Sequence, residues 1–275
     1  MPDAPTDVAR LVALDVDGTL VDLDSRMSTA VRDEVRRVAA VPGTSVVVAT
    51  GRELLGALPV LAELALPTGF AVCSNGAVTA RVFLGDAAAE GADLSYEIVE
   101  RVTFDATAAV TLLREHLPDA FYAVEALGVG YRVTGTFPEG ELPGELIPVP
   151  IEELTAEPVT RVVVRSPEHT PEDFLELTSR IGLHGVSYAV GWTAWLDLAP
   201  EGVTKASALE QVRRRLGVEP AMTYAVGDGR NDVEMIQWAA HGAVMDSAPP
   251  EVLAIADEVL PDVGHDGLLQ LLGRL

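Results

Sequence analysis

Two aspartates one residue apart, Asp15 and Asp17, open the segment Asp15-Val16-Asp17-Gly18-Thr19. In a continuing strand both would point to one face, and Gly18 allows an early turn that brings both to one small ligand. A second acidic pair, Asp228 and Asp232, lies in Gly227-Asp228-Gly229-Arg230-Asn231-Asp232. Carboxylates that converge on one point repel one another unless a cation binds. Their hard oxygens suit magnesium, which keeps some of its water and also touches substrate phosphate. A carboxylate can attack phosphorus and carry the phosphoryl group as an aspartyl phosphate. The group in transit then needs cations and amides around its equatorial oxygens. Thr50 and Gly51 can supply a hydroxyl and an amide, and Lys205 a positive charge beside a helix N-terminus. Asp17 can protonate the leaving oxygen and then deprotonate the attacking water.

Such groups meet only if the chain places them on one edge, and open parallel sheets put their sites outside the carboxyl ends of the strands. Leu11 to Val16 is an apolar run ending in acid, which reads as a buried strand. Ser28 caps a predicted helix with Val31, Val35 and Val38 on one face. Ser45 to Ala49 is a β-branched run that ends at Thr50-Gly51-Arg52, and a helical stretch with Leu54, Leu58 and Leu61 follows. Phe70 to Cys73 predicts a third strand, ending at Ser74-Asn75-Gly76. Far along the chain, Lys205 opens a helix bearing Leu209, Val212 and Leu216, Met222 to Val226 leads into the Gly227 loop, and Ala243 to Met245 follows. Strands alternating with helices indicate an α/β parallel sheet.

The middle of the chain has a different rhythm. Tyr96 to Phe104, Ala120 to Leu127 and Gly130 to Thr134 alternate, and Arg161 to Arg165 and Val186 to Leu198 read as further strands. Pro and Gly cluster from Phe137 to Pro150, and Thr170-Pro171-Glu172-Asp173 carries a capping box. This reads as a separate α+β module, residues 81–196, inserted into a domain made of residues 1–80 and 197–275.

Composition narrows the chemistry. The 275 residues are 48% hydrophobic, enough for a large core and a smaller second unit. A formal charge of -23 argues against a nucleic-acid surface, and an acidic protein that binds phosphate needs local cations or a metal. Of the 19 basic residues only Lys205 is a lysine; a compact ammonium is not always replaceable by a guanidinium, so that position is singled out. Cys73 is the only cysteine and reads as a small buried apolar residue, which leaves no disulfide and no cysteine zinc site. His116, His169, His184, His241 and His265 show no zinc-ligand spacing. The N-terminal residues lack an apolar signal region and no run is long enough to span a bilayer, so a cytoplasmic protein without membrane partners is expected. Oligomeric state is not legible.

Four motifs in order resemble the haloacid dehalogenase superfamily, specifically its Cof-type sugar-phosphatase branch. Asp15-Val16-Asp17-Gly18-Thr19-Leu20 looks like the first, Thr50-Gly51-Arg52 the second, Gly202-Val203-Thr204-Lys205 the third and Gly227 to Asp232 the fourth. Ser74-Asn75-Gly76-Ala77 matches a further segment common in the branch. The resemblance implies a Rossmann-like core and an α+β cap that closes over the substrate. It implies that Asp15 is the nucleophile and a Mg2+ ligand, and that Asp17 is the general acid/base and a ligand through its main-chain carbonyl. Asp228 is then a third ligand, Asn231 and Asp232 support the metal site and Lys205, and Thr50, Gly51, Arg52, Lys205 and Asn231 hold the phosphate. One departure is Met245-Asp246-Ser247-Ala248, where many relatives carry Gly-Asn-Ala.

The expected activity is magnesium-dependent hydrolysis of a small phosphorylated metabolite, a sugar phosphate first among them. A phosphomutase or phosphotransferase sharing the aspartyl phosphate is the enzymatic alternative, and a catalytically silent binding protein the other. In the insert, Glu125, Tyr131, Arg132, Trp192 and Trp195 are candidate contacts to the leaving group. The aromatics read first as packing residues and the two charges as solvated surface.

Overall fold

The computed structural model describes residues 10–85, 94–181, 183, 185–190 and 195–275. The strands in chain order are β1 (Arg10–Leu14), β2 (Thr44–Ala49), β3 (Thr68–Cys73), β4 (Val78–Leu84) and β5 (Leu94–Arg101). Then come β6 (Phe121–Ala126), β7 (Gly130–Val133), β8 (Glu145–Pro148), β9 (Val162–Arg165), β10 (Val186–Val190) and β11 (Trp195–Pro200). Strands β12 (Thr223–Gly227), β13 (His241–Met245) and β14 (Glu258–Leu260) complete the set.

One sheet has the order β14-β13-β12-β1-β2-β3-β4-β5. Its strands are parallel from β14 to β3, and β4 and β5 turn back antiparallel. In β1, Leu11 and Ala13 face one side and Val12 and Leu14 the other, and all four are buried. A strand covered on both faces must be apolar throughout, which is why the sequence shows a run rather than alternation. Val12 and Leu14 pack with the helices Thr29–Ala39, Leu54–Leu64 and Leu268–Leu272. Leu11 and Ala13 pack with Lys205–Leu216 and Val233–Trp238. Ser28 caps the first of these helices, its Oγ accepting from Val31 N at 3.1 Å, and Val31, Val35 and Val38 form the buried stripe. The α/β fold with a mainly parallel sheet is thus the one expected from the sequence.

The Tyr96 to Phe104 run belongs elsewhere than its alternation suggested. Residues 94–101 form β5, which hydrogen-bonds to β4 on the edge of this first sheet. Its side chains are half-buried or exposed, the pattern of a strand with no neighbour on one side. Alternation there records an edge position rather than a separate module.

A second sheet has the order β10-β11-β9-β6-β7-β8 and is antiparallel except between β7 and β8. Tyr122, Val124, Val162, Val164, Leu196 and Leu198 turn one face toward the helices Thr107–His116 and Pro171–Ile181. The period of two then sends Glu125, Tyr131, Arg161, Trp195 and Asp197 to the opposite face. That face looks onto the carboxyl edge of the first sheet, as the contacts below establish.

Candidate active site

Asp15 follows the last residue of β1, and its amide donates to Val226 O at 3.0 Å on the neighbouring β12. The side chain is buried at 4% exposure. The amides of Leu20 and Val21 both return to Val16 O, so the chain turns sharply after Asp15. Gly18 sits in this turn with φ of 81°, and a Cβ there would lie 2.2 Å from Asp228 Oδ2. Only glycine meets both the backbone and the space requirement.

Asp228 and Asp232 follow β12 and are buried at 6% and 0% exposure. Asp232 Oδ2 accepts from the amides of Asp228 and Gly229 at 3.0 and 2.9 Å, which shapes the loop. Its Oδ1 accepts from Lys205 Nζ at 2.7 Å, and the same ammonium donates to Asp15 Oδ1 at 2.6 Å. Lys205 is the first residue of the helix Lys205–Leu216, whose start is fixed by Thr204 and Ser207 in a reciprocal capping box.

The remaining predicted residues converge on the same edge. Thr50 follows β2, is fully buried, and its Oγ1 accepts from Arg52 N at 3.0 Å. A Cβ on Gly51 would stand 3.2 Å from Asn75 Oδ1 and 3.3 Å from Asn231 Nδ2, and these two amides hydrogen-bond at 3.0 Å. Asp17 stands apart from the buried acids: its side chain is 54% exposed and is held by Arg52, with Nη2 to Oδ1 at 2.5 Å and Nε to Oδ2 at 2.9 Å. Asp246 and Ser247, at the departure from the common motif, are exposed.

Three buried carboxylates, those of Asp15, Asp228 and Asp232, each offer an oxygen within 4.8 Å of the others. Burial, and then the charge of Asp232, push the Asp15 carboxyl well above the usual range despite the pull of Lys205. The same two causes push Asp228 up to about 7. Burial disfavours the charged form of Lys205, but Asp15 and Asp232 outweigh it and raise its pKa. One ammonium against three carboxylates leaves net negative charge in a dry place. The donor set is all oxygen, so it fits a hard divalent cation such as magnesium.

A cavity of about 710 Å³ lies over this edge, its walls including Asp15, Asp17, Arg52, Asp228 and Asn231 below and Tyr131 and Trp195 above. The sequence reading gave no role to Glu53, Arg161 or Asp197, which join the two sheets in one buried network. Arg161 Nη1 donates to Tyr131 Oη at 3.0 Å and to Glu53 Oε2 at 3.4 Å, and Tyr131 Oη donates to Glu53 Oε2 at 2.8 Å. Arg161 Nε reaches Asp197 Oδ1 at 2.7 Å. A second clasp runs from Ser74 Oγ and Thr160 Oγ1 to Glu125 Oε2, both at 2.8 Å. Glu125, expected as a solvated charge, is therefore a buried one: its strand position points it at the Ser74 loop. Arg132 instead donates to Glu153 O at 3.3 Å, and Trp192 and His184 lie outside the described residues.

A parallel α/β sheet with buried acids and one lysine at its carboxyl edge, covered by a second sheet, defines a doubly wound enzyme core with carboxylate chemistry. The chain belongs to the haloacid dehalogenase-like hydrolases, whose family model matches residues 12–272. An HMP-PP phosphatase of Serratia proteamaculans is 28% identical over 270 residues, spanning 93% of this chain and 90% of that protein. A phosphoglycolate phosphatase of Methanoculleus marisnigri is 25% identical over 263 residues, spanning 95% and 94%. Among solved structures, a haloalkanoate-superfamily phosphatase from Bacteroides thetaiotaomicron is similar with a TM-score of 0.75 at 24% identity, covering 100% of this chain and 98% of that one. A haloacid dehalogenase-like hydrolase from B. subtilis superposes with a TM-score of 0.78 at 20% identity, covering 97% and 99%. Among the described residues no helix is long and apolar enough to cross a membrane.

Proposed function

We propose that this protein is a magnesium-dependent phosphatase of small phosphorylated metabolites, sugar phosphates foremost, working through an aspartyl phosphate on Asp15. The observation that carries the reading is the buried ammonium of Lys205 set between Asp232 and Asp15, the latter a wall residue of the cavity. Lys205 engages Oδ1 of Asp15, which leaves Oδ2 to attack phosphorus. A bond forms between that oxygen and phosphorus as the bond to the leaving oxygen breaks, and Asp17 gives the leaving oxygen a proton. Water then attacks the same phosphorus, Asp17 takes its proton, and the bond to Asp15 breaks to release phosphate.

Asp17 can do this only when free of Arg52, which grips both its carboxylate oxygens. An incoming phosphate competes for the same guanidinium, whose fork matches phosphate oxygens as well as carboxylate ones. Substrate binding would thus hand Arg52 to the phosphate and release Asp17, which takes a proton from solvent before it acts as the acid. Gly51 and Asn231 line the cavity where the phosphate would lie, and the buried Thr50 beside them would shape that loop through its bond from Arg52 N. Asp15, Asp228 and the main-chain carbonyl of Asp17 would hold magnesium, while Asp232 spends its oxygens on Lys205 and the loop amides. When bound, the cation supplies positive charge to the transferring phosphoryl group. The test is phosphate release from a panel of sugar phosphates and other phosphorylated metabolites, with and without magnesium, beside Asp15→Asn. Metal-dependent release absent from the variant supports the reading, and release that survives Asp15→Asn refutes it.

A further inference from the structure

The face of the second sheet that looks onto Asp15 presents one carboxylate in an unusual state. Asp197 Oδ1 receives two N–H donors, Arg161 Nε at 2.7 Å and Trp195 Nε1 at 3.1 Å, and Arg161 Nη2 stands beside it as an ion-pair contact at 2.7 Å. No described residue hydrogen-bonds to its Oδ2, and the side chain keeps 14% exposure. Asp197 lines the cavity that also holds Asp15, Asp17, Asp228 and Asn231. It lines a second chamber of about 330 Å³ as well, which continues toward Val186 and Tyr188 on β10 and shares Asn75, Arg161, Arg230 and Asn231 with the first. Asp197 thus borders ligand space with one oxygen to which no described residue hydrogen-bonds.

A carboxylate oxygen held rigid from behind, with its lone pairs unspent, is an acceptor for hydroxyl groups. It is equally a repeller of anions. Arg161 does not cancel this, because its one positive charge is shared between Asp197 and Glu53, both in contact with it. Glu141, elsewhere on the cavity wall, is already paired with Arg165 at 3.1 Å. The wall is completed by apolar surface from Leu55, Pro59, Leu142 and Trp195, and an indole suits the C–H face of a polyol or sugar ring. The other cations on the two walls are also paired: Arg230, which lines both chambers, with Glu251 at 2.7 Å, Lys205 in the second chamber with Asp15 and Asp232, and Arg52 in the first with Asp17.

Resting on the phosphatase reading above, we infer that Asp197 determines specificity: its free oxygen accepts a hydroxyl of the leaving group. The site so built selects neutral, hydroxylated monophosphates over substrates with a second anionic group on the leaving part.

The test is steady-state kinetics with four probes: a hexose monophosphate, a hexose bisphosphate, 2-phosphoglycolate and a hydroxyl-free aryl phosphate. The wild type is expected to favour the hexose monophosphate over the bisphosphate and phosphoglycolate by about tenfold or more in kcat/KM, as one charge repulsion or lost hydrogen bond gives. Asp197→Asn is expected to raise KM for the hexose monophosphate several-fold while narrowing the gap to the anionic probes. Its kcat/KM for the aryl phosphate should fall by a clearly smaller factor than that for the hexose monophosphate, since no hydroxyl contact exists to lose. An equal loss on both neutral probes would show that Asp197 only supports Arg161, and an unchanged selectivity would likewise overturn the inference. Should Asp197→Asn not fold, the wild-type preference decides alone, and equal kcat/KM for phosphoglycolate and hexose monophosphate refutes it. Failure to hydrolyse any probe, aryl phosphate included, overturns the phosphatase reading and this inference with it; hydrolysis without preference overturns this inference alone.

Discussion

The ammonium of Lys205 stands 2.6 Å from Oδ1 of Asp15, a residue 190 positions earlier in the chain. The side chain of Lys205 is fully buried, so the contact is made in a dry place where an uncompensated charge is expensive. Replacing Lys205 with Met leaves three carboxylates facing one another. The expected outcome is loss of phosphate release by at least about a hundredfold, as removal of one cation aimed at a transferring phosphoryl group gives. Thermal unfolding should show a loss of about 3–5 kcal/mol, the usual penalty for orphaning one side of a buried pair. Lys205→Arg should not restore activity, because a guanidinium has neither the room nor the compact charge of the ammonium.

Gly18 tests the turn rather than the charges. With φ of 81° and a Cβ position 2.2 Å from Asp228 Oδ2, Gly18→Ala strains the backbone and displaces Asp228. A stability loss on the order of 1–3 kcal/mol is expected in urea titration. Activity should fall much further than stability, because the same change moves a carboxylate that magnesium would need.

Magnesium should be detectable without any substrate. Binding to the folded chain alone stabilises it by about 2.7 kcal/mol when the free ion is at a hundred times its Kd. Calorimetry of the wild type with and without the ion should therefore show a raised Tm. Asp228→Asn should retain its fold and lose most of that increment. An equal rise in both proteins would show that the ion binds elsewhere.

Glu125 makes a prediction about pH. Burial raises its pKa above the ordinary 4.5, against the pull of its hydrogen bonds from Thr160 and Ser74. Its Oε1 is buried with no partner. A raised carboxyl pKa in the folded state means that its contribution to stability is full below the unfolded value and is lost as pH rises through the folded value. Glu125→Gln removes that titration while keeping the shape. The variant should show a flatter dependence of Tm on pH, because the stability lost by the wild type as pH rises is no longer tied to this group.

The parts of this site that the sequence makes legible share a local signature. Asp15, Thr50, Ser74 and Asp228 each follow a strand, at the carboxyl edge where glycine-bearing loops turn the chain. Lys205 stands out as the one lysine. Helix Thr29–Ala39 is legible because its cap and its apolar stripe are both short-range patterns. The network of Glu53, Tyr131, Arg161 and Asp197 has no such signature: four residues scattered over the chain meet only because two sheets face each other. Strand β5 misleads for a related reason, since alternation reports one wet face and not which sheet the strand joins. The grip of Arg52 on Asp17 is equally hidden, being a contact between two loops that are each plausible phosphate binders alone.

The claim on which the rest depends is that Asp15 itself takes the phosphoryl group. Its most direct test is acid quenching of the enzyme during turnover of an aryl phosphate, followed by mass analysis of the peptide that contains Asp15. A phosphoryl adduct on that peptide, absent after Asp15→Asn, is the predicted result. Steady phosphate release with no adduct at any quench time, or an adduct on another residue, would contradict it.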